Sequence, residues 1–396
     1  MDNGIPLVNP SDLRGGKILT ESAVKVPENV AIRMVAYRAK VGDLILARRG
    51  ELGRYGLVTS AEDGVLCGTG SLLVRVSSVL VARFLGYFLQ TREALDWLSL
   101  HSVGSTMENL SEAILARLPI PDIPTAQQER IANFLDDKTA RIDALIAEKE
   151  QLVERLKEYQ YSYSSNLMTR GLDFQAELVE SSFPEIGNIP KSWTVKRLKF
   201  LGEVRSGVAK GKDLGERDTV TLPYLRVANV QDGYVDLTEV YDIEVAASEA
   251  PRYFLHKNDV LMNEGGDNDK LGRGAVWRGQ IEPCIHQNHV FAVRLEDPGL
   301  AEWVSCFTST AAARAYFYLR SKQSTNLASI NQSNVRELPI PMPPANERKA
   351  LLAELQRSSM ATSMLIEHAV EHIARLREYR SSLISAAVTS QLELQQ

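Results

Sequence analysis

One tetrapeptide occurs twice. Leu118-Pro119-Ile120-Pro121 recurs as Leu338-Pro339-Ile340-Pro341, 220 residues on, and the register then holds without a gap as far as Thr169 and Thr389. Leu135 pairs with Leu355, Leu145-Ile146 with Leu365-Ile366, Arg155-Leu156 with Arg375-Leu376, and Glu158-Tyr159 with Glu378-Tyr379. Of the 55 positions from 118 to 172, 16 are identical to their partners, so the chain holds two copies of one structural unit. Two like units in one chain bind a partner that itself has two halves, or two copies of one partner.

The segments before each tetrapeptide also match, but only with gaps. Asn258-Asp259-Val260-Leu261-Met262 repeats the turn and strand Gly42-Asp43-Leu44-Ile45-Leu46. Leu271-Gly272-Arg273 repeats Leu52-Gly53-Arg54, Val293-Arg294-Leu295 repeats the strand Val74-Arg75-Val76, and Phe307 repeats Phe88 in the helical run Phe84–Leu89. The offsets here vary between 216 and 219. Variable loops therefore belong to two mixed α/β units, and the part after each tetrapeptide is rigid in length. Ile189-Pro190-Lys191-Ser192-Trp193 opens the second unit and has no counterpart in the first. At the local offset of 217 the partner of Trp193 falls upstream of Met1, so the first unit is expected to lack its first strand and loop.

The rigid part reads as a long helix in each copy. Thr125 is placed as its cap, with Gln128 as the reciprocal partner three residues on. Two seven-residue ladders follow: Ile131, Lys138, Leu145, Leu152, Tyr159, and Leu135, Ile142, Lys149, Leu156, Tyr163, widened by Ile146 and Val153. The copy reads Leu351, Leu365, Tyr379 and Leu355, Leu376, Leu383, interrupted by His372 and Ala369. Spacing of 3.5 residues is that of a coiled-coil seam. The expected helix-pair core is Leu135, Ile142, Leu145, Leu152, Leu156, Leu355, Leu365, Leu376 and Tyr379. A helix of this length cannot bury such a stripe alone, and the other copy, running antiparallel, is the economical partner.

Bulk properties bound the function. A net charge of −5 weighs against tight unaided nucleic-acid binding through charge alone, while leaving room for local patches. Three widely spaced cysteines, Cys67, Cys284 and Cys306, indicate no disulfide framework, and the N-terminus is not signal-like, so a reducing cytoplasm is expected. The most apolar stretch, Leu72 to Leu89, is broken by Arg75 and Arg83 and is too polar to span a bilayer.

The whole pattern resembles the specificity subunit of type I restriction–modification systems. The carrying motifs are Ile189-Pro190-Lys191-Ser192-Trp193 with Lys196-Arg197-Leu198, then Leu338-Pro339-Ile340-Pro341-Met342-Pro343-Pro344 with Glu347. The earlier Leu118-Pro119-Ile120-Pro121 and the run Met168-Thr169-Arg170-Gly171-Leu172-Asp173 add to it. The resemblance implies an α+β architecture: two α/β target-recognition domains separated by a long antiparallel coiled-coil helix pair, with pseudo-two-fold symmetry. Residues 1–117 would be the first domain, 118–172 the first spacer helix, 173–192 a linker, 193–337 the second domain and 338–396 the second spacer helix. It also implies a non-catalytic subunit that reads a bipartite double-stranded DNA site. Such a subunit docks two methyltransferase subunits, joined by restriction subunits, and needs no cofactor of its own.

The chemistry agrees. The amino-methyltransferase tetrapeptide and a phosphate-binding Gly-x-x-x-x-Gly-Lys-Ser/Thr are both missing; Gly207 to Asp213 has the wrong spacing. Cys284, His286 and His289 could ligate a metal, but a strand would split them between two faces, and no metal is assigned. For DNA, the basic stretch Lys196 to Asp218 carries Lys196, Arg205, Lys210 and Lys212 for phosphate contact. Arg48, Arg49 and Arg54 form its analogue in the first unit. These loops, the matching loop with Asn263, Lys270 and Arg273, and Gln287-Asn288 are candidate base readers, because Arg forks onto guanine and Asn or Gln onto adenine; Arg226 and Asn229 are further DNA-binding candidates. Ser105-Thr106 and Ser324-Thr325 hold equivalent positions suited to phosphate. The alternatives are a protein-only scaffold, which would have apolar loops, and a stand-alone enzyme, for which no triad or carboxylate pair stands out.

Overall fold

The computed structural model describes residues 4–102, 109–211, 214–266, 271–323 and 328–389. The chain forms two compact units: residues 1–152 with 368–396, and residues 153–367.

The first unit has strands β1 (Ile5–Val8), β2 (Val24–Val26), β3 (Leu44–Ala47), β4 (Tyr55–Leu57), β5 (Leu66–Cys67) and β6 (Ser71–Val74). They make two small sheets, ordered β2-β1-β5 and β4-β3-β6. Every residue of β3 is buried, as a short apolar run at a sheet centre should be. Helices α1 (Ala82–Phe88) and α2 (Arg92–His101) follow, then the 46-residue helix α3 (Thr125–Arg170). Thr91 caps α2 by accepting from the Ala94 amide.

The second unit contains β7 (Thr194–Arg197), β8 (Gly202–Ser206), β9 (Thr219–Leu225), β10 (Tyr241–Ala246), β11 (Val260–Asn263), β12 (Gly274–Val276), β13 (Ile285–His286), β14 (Val290–Leu295) and β15 (Pro339–Met342). Its sheets are ordered β8-β14-β11-β12, β10-β9-β13 and β7-β15. Helices α4 (Ala301–Thr308), α5 (Ala311–Arg320) and α6 (Gln332–Arg336) precede α7 (Ala345–Val388). Trp193, from the opening motif, is buried edge-on against Trp303 at 6.0 Å, and Trp303 Nε1 donates to the Pro341 carbonyl.

The duplication extends to pairing and side-chain locks. Leu7-Val8 run parallel to Leu66-Cys67, and Tyr224-Leu225 run parallel to Ile285-His286. Asp43 accepts from the Lys40 amide and binds Arg75, whose guanidinium also donates to the Arg38 carbonyl. Asp259 does the same with the His256 amide and Arg294, which donates to the Phe254 carbonyl. Both aspartates are almost fully buried, at 4% and 2% exposed, so each depends on its arginine. Gly53 and Gly272 are a second matched pair, at φ +76 and +65. A Cβ at Gly272 would lie 2.2 Å from the Phe317 ring, so both conformation and space require glycine.

The expected cap at the start of α3 is not formed as a reciprocal box. The Pro124 carbonyl accepts from the Gln127 and Gln128 amides, while the buried Gln128 side chain bonds Val79, Val81 and Ile123. Gln128 thus ties the preceding loop to the helix, a use that local spacing cannot reveal.

Both long helices are continuous, and each contributes to both units. Within the first unit, Ile142 and Ile146 of α3 pack with Ile373 of α7, and Arg377 and Arg380 reach Glu150 and Asp143. Within the second, Gln160 bonds Ser359, and Tyr163 bonds Glu354. In each unit the partner numbers fall on α7 as they rise on α3, so the contacting segments run antiparallel. Of the expected core, Leu135, Ile142 and Leu355 are buried and Leu156 and Leu376 are half-buried. Leu145, Leu152, Leu365 and Tyr379 are exposed. The ladder through Leu135, Ile142 and Leu156 has two possible flanks, and 3.5-residue spacing does not choose between them. The buried flank is Ile146 and Val153; the exposed one is Leu145, Leu152 and Tyr159.

Candidate nucleic-acid interface

In the second unit the turn after β9 gathers several of the candidate DNA-binding residues. Asn229 Oδ1 accepts from the Arg226 amide, closing the turn, and its Nδ2 donates to the Asp236 and Glu239 carbonyls. Asn263, at the end of β11, donates to the Val227 and Val230 carbonyls. Gln287 accepts from the Val227 amide. Asn263 and Gln287, remote in sequence, therefore meet at Val227 beside Arg226 and Asn229, and the Arg273 main chain adjoins them, its carbonyl accepting from the Asn263 amide. Asn229 and Asn263 are 3% and 0% exposed, and their amides hold the turn. Asn263 Oδ1 and Arg273 Nε are buried with no hydrogen-bond partner among the described residues.

Arg226 is the most shaped cation of this cluster. Its guanidinium lies 3.7 Å from the centre of the Tyr241 ring and pairs with Glu239, while Nε is buried without a hydrogen-bond partner among the described residues. Stacking of this kind holds a guanidinium planar and oriented. Asn288 is half-buried beside His289, which pairs with Glu264. The basic loop runs against this edge, since the Val208 amide donates to the His286 carbonyl and the Asn288 amide to the Val208 carbonyl. Gly207 permits that approach: a Cβ there would lie 1.9 Å from the His286 oxygen.

The other basic candidates divide. Lys210 is exposed on a recess of about 270 Å³ with Glu244, Glu249 and Tyr253. Lys196 is exposed on β7. Arg205 is half-buried and donates to the Arg252 carbonyl at 2.5 Å, so it braces the fold. Lys212, Lys270, Ser105, Thr106, Ser324 and Thr325 lie outside the described residues.

In the first unit Arg48 donates through Nε to Asn109 and the Leu110 carbonyl, Arg49 is exposed, and Arg54 pairs with Glu51 and donates to the Pro10 carbonyl. Arg54 lines a cleft of about 650 Å³ with Ser11, Arg14, Glu51 and Gln90. Sequence reading missed Arg14 and Ser11; a basic residue beside Gly15-Gly16, both at positive φ, was the available signal. Tyr241, the stacking platform, was also missed, because only the β9–β10 register brings it opposite Tyr224.

Among the described residues no group of three or more His, Cys, Asp or Glu side chains is placed to hold a metal. Cys284 and His286 are buried, and the His286 imidazole bonds the Val290 carbonyl. No described helix is long and apolar enough to cross a membrane.

Known proteins resemble the chain over most of its length. Residues 1–155 match the family model described as the type I restriction modification DNA specificity domain. The chain is 22% identical over 407 residues to the type I restriction enzyme EcoKI specificity subunit of Escherichia coli K12, covering all of this chain and 84% of that one. It is also 22% identical over 410 residues to the StySPI specificity subunit of Salmonella potsdam, with the same coverage. A chain solved in work on complex assembly and conformational transition of the type I R-M system superposes with a TM-score of 0.73 at 17% identity, covering 98% of this chain and 91% of that one. The HsdS subunit from Thermoanaerobacter tengcongensis gives 0.54 at 15% identity, with the same coverage.

Proposed function

We infer that this chain is a DNA sequence-specificity subunit of the type I restriction–modification kind, without catalysis of its own. The observation that carries the reading is the duplicated unit, locked in each copy by a buried Asp–Arg pair. In the second copy it ends in a polar cluster around Val227. A protein-docking scaffold would present apolar loops there; these present Arg226, Arg273, Gln287 and Asn288. Each unit would read one half of a bipartite duplex. Arg226, Arg273, Gln287 and Asn288 are the proposed base-facing set, with Lys196, Lys210, Arg49, Arg54 and Arg14 on phosphates. Asn229, Asn263, Arg205 and Arg48 would position these groups rather than touch DNA.

The long helices are proposed to pair antiparallel and set the spacing between half-sites. Their exposed flank repeats across the duplication: Leu145 with Leu365, Tyr159 with Tyr379. An apolar surface kept in both copies suits two copies of one partner, and we assign it to two methyltransferase subunits, with restriction subunits joining that complex. Cytoplasmic action follows from that role.

The acidic chain makes a prediction about affinity. With a net charge of −5 it should bind its target weakly alone and strongly once methyltransferase subunits supply more cationic surface. A gel-shift titration with and without those subunits measures this. Equal affinity in both would sink the assignment of clamping charge to the partners.

A further inference from the structure

The two copies are finished differently at one sheet edge. In the second unit β14 lies between β11 and β8, with Val204 opposite Val293 and Arg205 opposite Ala292. The chain reaches that edge through β7, whose Lys196 and Arg197 lie opposite Ile340 and Pro339, and the Leu198 amide donates to the Leu338 carbonyl. Gln332 of α6 donates to the Val204 carbonyl. Under this cover Val293, Leu295, Pro339 and Ile340 are all buried.

In the first unit β6 pairs only with β3, and among the described residues no strand lies along its other edge. Val74 and Val76 occupy the places of Val293 and Leu295, yet both are only partly buried. Pro119 is exposed and Ile120 partly buried where Pro339 and Ile340 are enclosed, and residues 118–121 form no strand. Val74, Val76, Ile114, Leu115 and Ile120 all pack against the same core cluster. An unpaired edge beside a half-open apolar groove is what an added strand occupies.

We propose that the outer edge of β6, with this groove, is a docking site for an extended polypeptide segment carrying the apolar pattern of residues 193–206. The second unit supplies the template. Trp193, Leu198, Leu201 and Val204 fill the equivalent place and are 4%, 0%, 5% and 5% exposed. Main-chain pairing with β6 sets the register, and an aromatic followed by three aliphatic side chains closes the groove. Edge-to-edge pairing with a second copy suits it less, since β6 has four residues and the exposed Arg75 follows it directly.

The test is amide hydrogen exchange on the full chain carrying a copy of residues 188–217 fused ahead of Met1, against the unfused chain. Amides between 72 and 76 should slow by about tenfold or more, with the second unit unchanged. Glu203→Pro in the fused copy alone, which removes an amide that faces the neighbouring strand while leaving the apolar side chains in place, should abolish the slowing. The same peptide added in trans to the unfused chain gives a second reading free of fusion effects. Unchanged rates in both arms overturn the proposal. So do rates already slow in the unfused chain that quicken on dilution, the sign of a second copy on the edge. The readout needs no DNA, so it stands or falls apart from the recognition reading.

Discussion

His286 is buried at 2% exposure, and the Val290 carbonyl can only accept, so the ring donates through Nδ1. Burial holds its pKa down to about 4 from an ordinary 6.5. The folded state therefore binds fewer protons than the unfolded chain between these values. Its contribution to stability is complete above about pH 6.5 and is lost as pH falls towards 4, by about 3 kcal/mol in all. The second unit's urea midpoint should fall more steeply over this window in the parent than in His286→Gln. Equal slopes would show that burial of the imidazole is not what couples this strand to pH. At the candidate interface the two proposed cationic roles separate by assay. Arg273→Ala in the full complex should relax discrimination at one base, by about 1–3 kcal/mol. Lys210→Ala should weaken all duplexes alike and flatten the salt dependence. A Lys210 change that alters base preference would move that residue into the reading set. Residue type alone picks out polar loops, some of which lie near Val227, but it does not tell which of their side chains are framework. Asn229 and Asn263 look like DNA-binding residues in sequence, and only their burial against backbone carbonyls shows that they hold the turn.

Among elements, the long helices were the most legible, because a 3.5-residue apolar pattern sustained over many turns fits little but a packed helix. What the pattern left open was the flank, and that turns on whether Leu145 or Ile146 faces α7. Ile146 packs with Ile142 and Ile373, whereas Leu145 is 46% exposed. Ile146→Asp should therefore destabilise the chain by about 3 kcal/mol or more in urea unfolding. Leu145→Asp should leave stability within about 0.5 kcal/mol and instead weaken methyltransferase association. Comparable destabilisation by both would return Leu145 to the helix-pair core. The sheets were legible where a strand is a short apolar run, as in Leu44–Ala47, and illegible where it depends on a distant partner. Pro339–Met342 is a strand because Thr194–Arg197 lies beside it; the same tetrapeptide at 118–121 has no such neighbour among the described residues and is no strand.

For the molecule as a whole, the constant 220-residue offset and the drifting offsets before it describe two kinds of constraint. Fixed length belongs to helices whose apolar positions must stay in register over many turns. Drifting length belongs to loops such as those around Val227, which tolerate insertion because the Asp43–Arg75 and Asp259–Arg294 pairs hold the framework beneath them. In the proposed role that division sets spacing in the helices and sequence preference in the loops. It makes the central claim a statement about the form of the target. Selection from a randomised duplex library, using the chain assembled with its methyltransferase subunits, tests that form directly. The account predicts two short defined blocks separated by an undefined spacer of constant length. A single continuous block, a spacer of variable length, or no enrichment would contradict it.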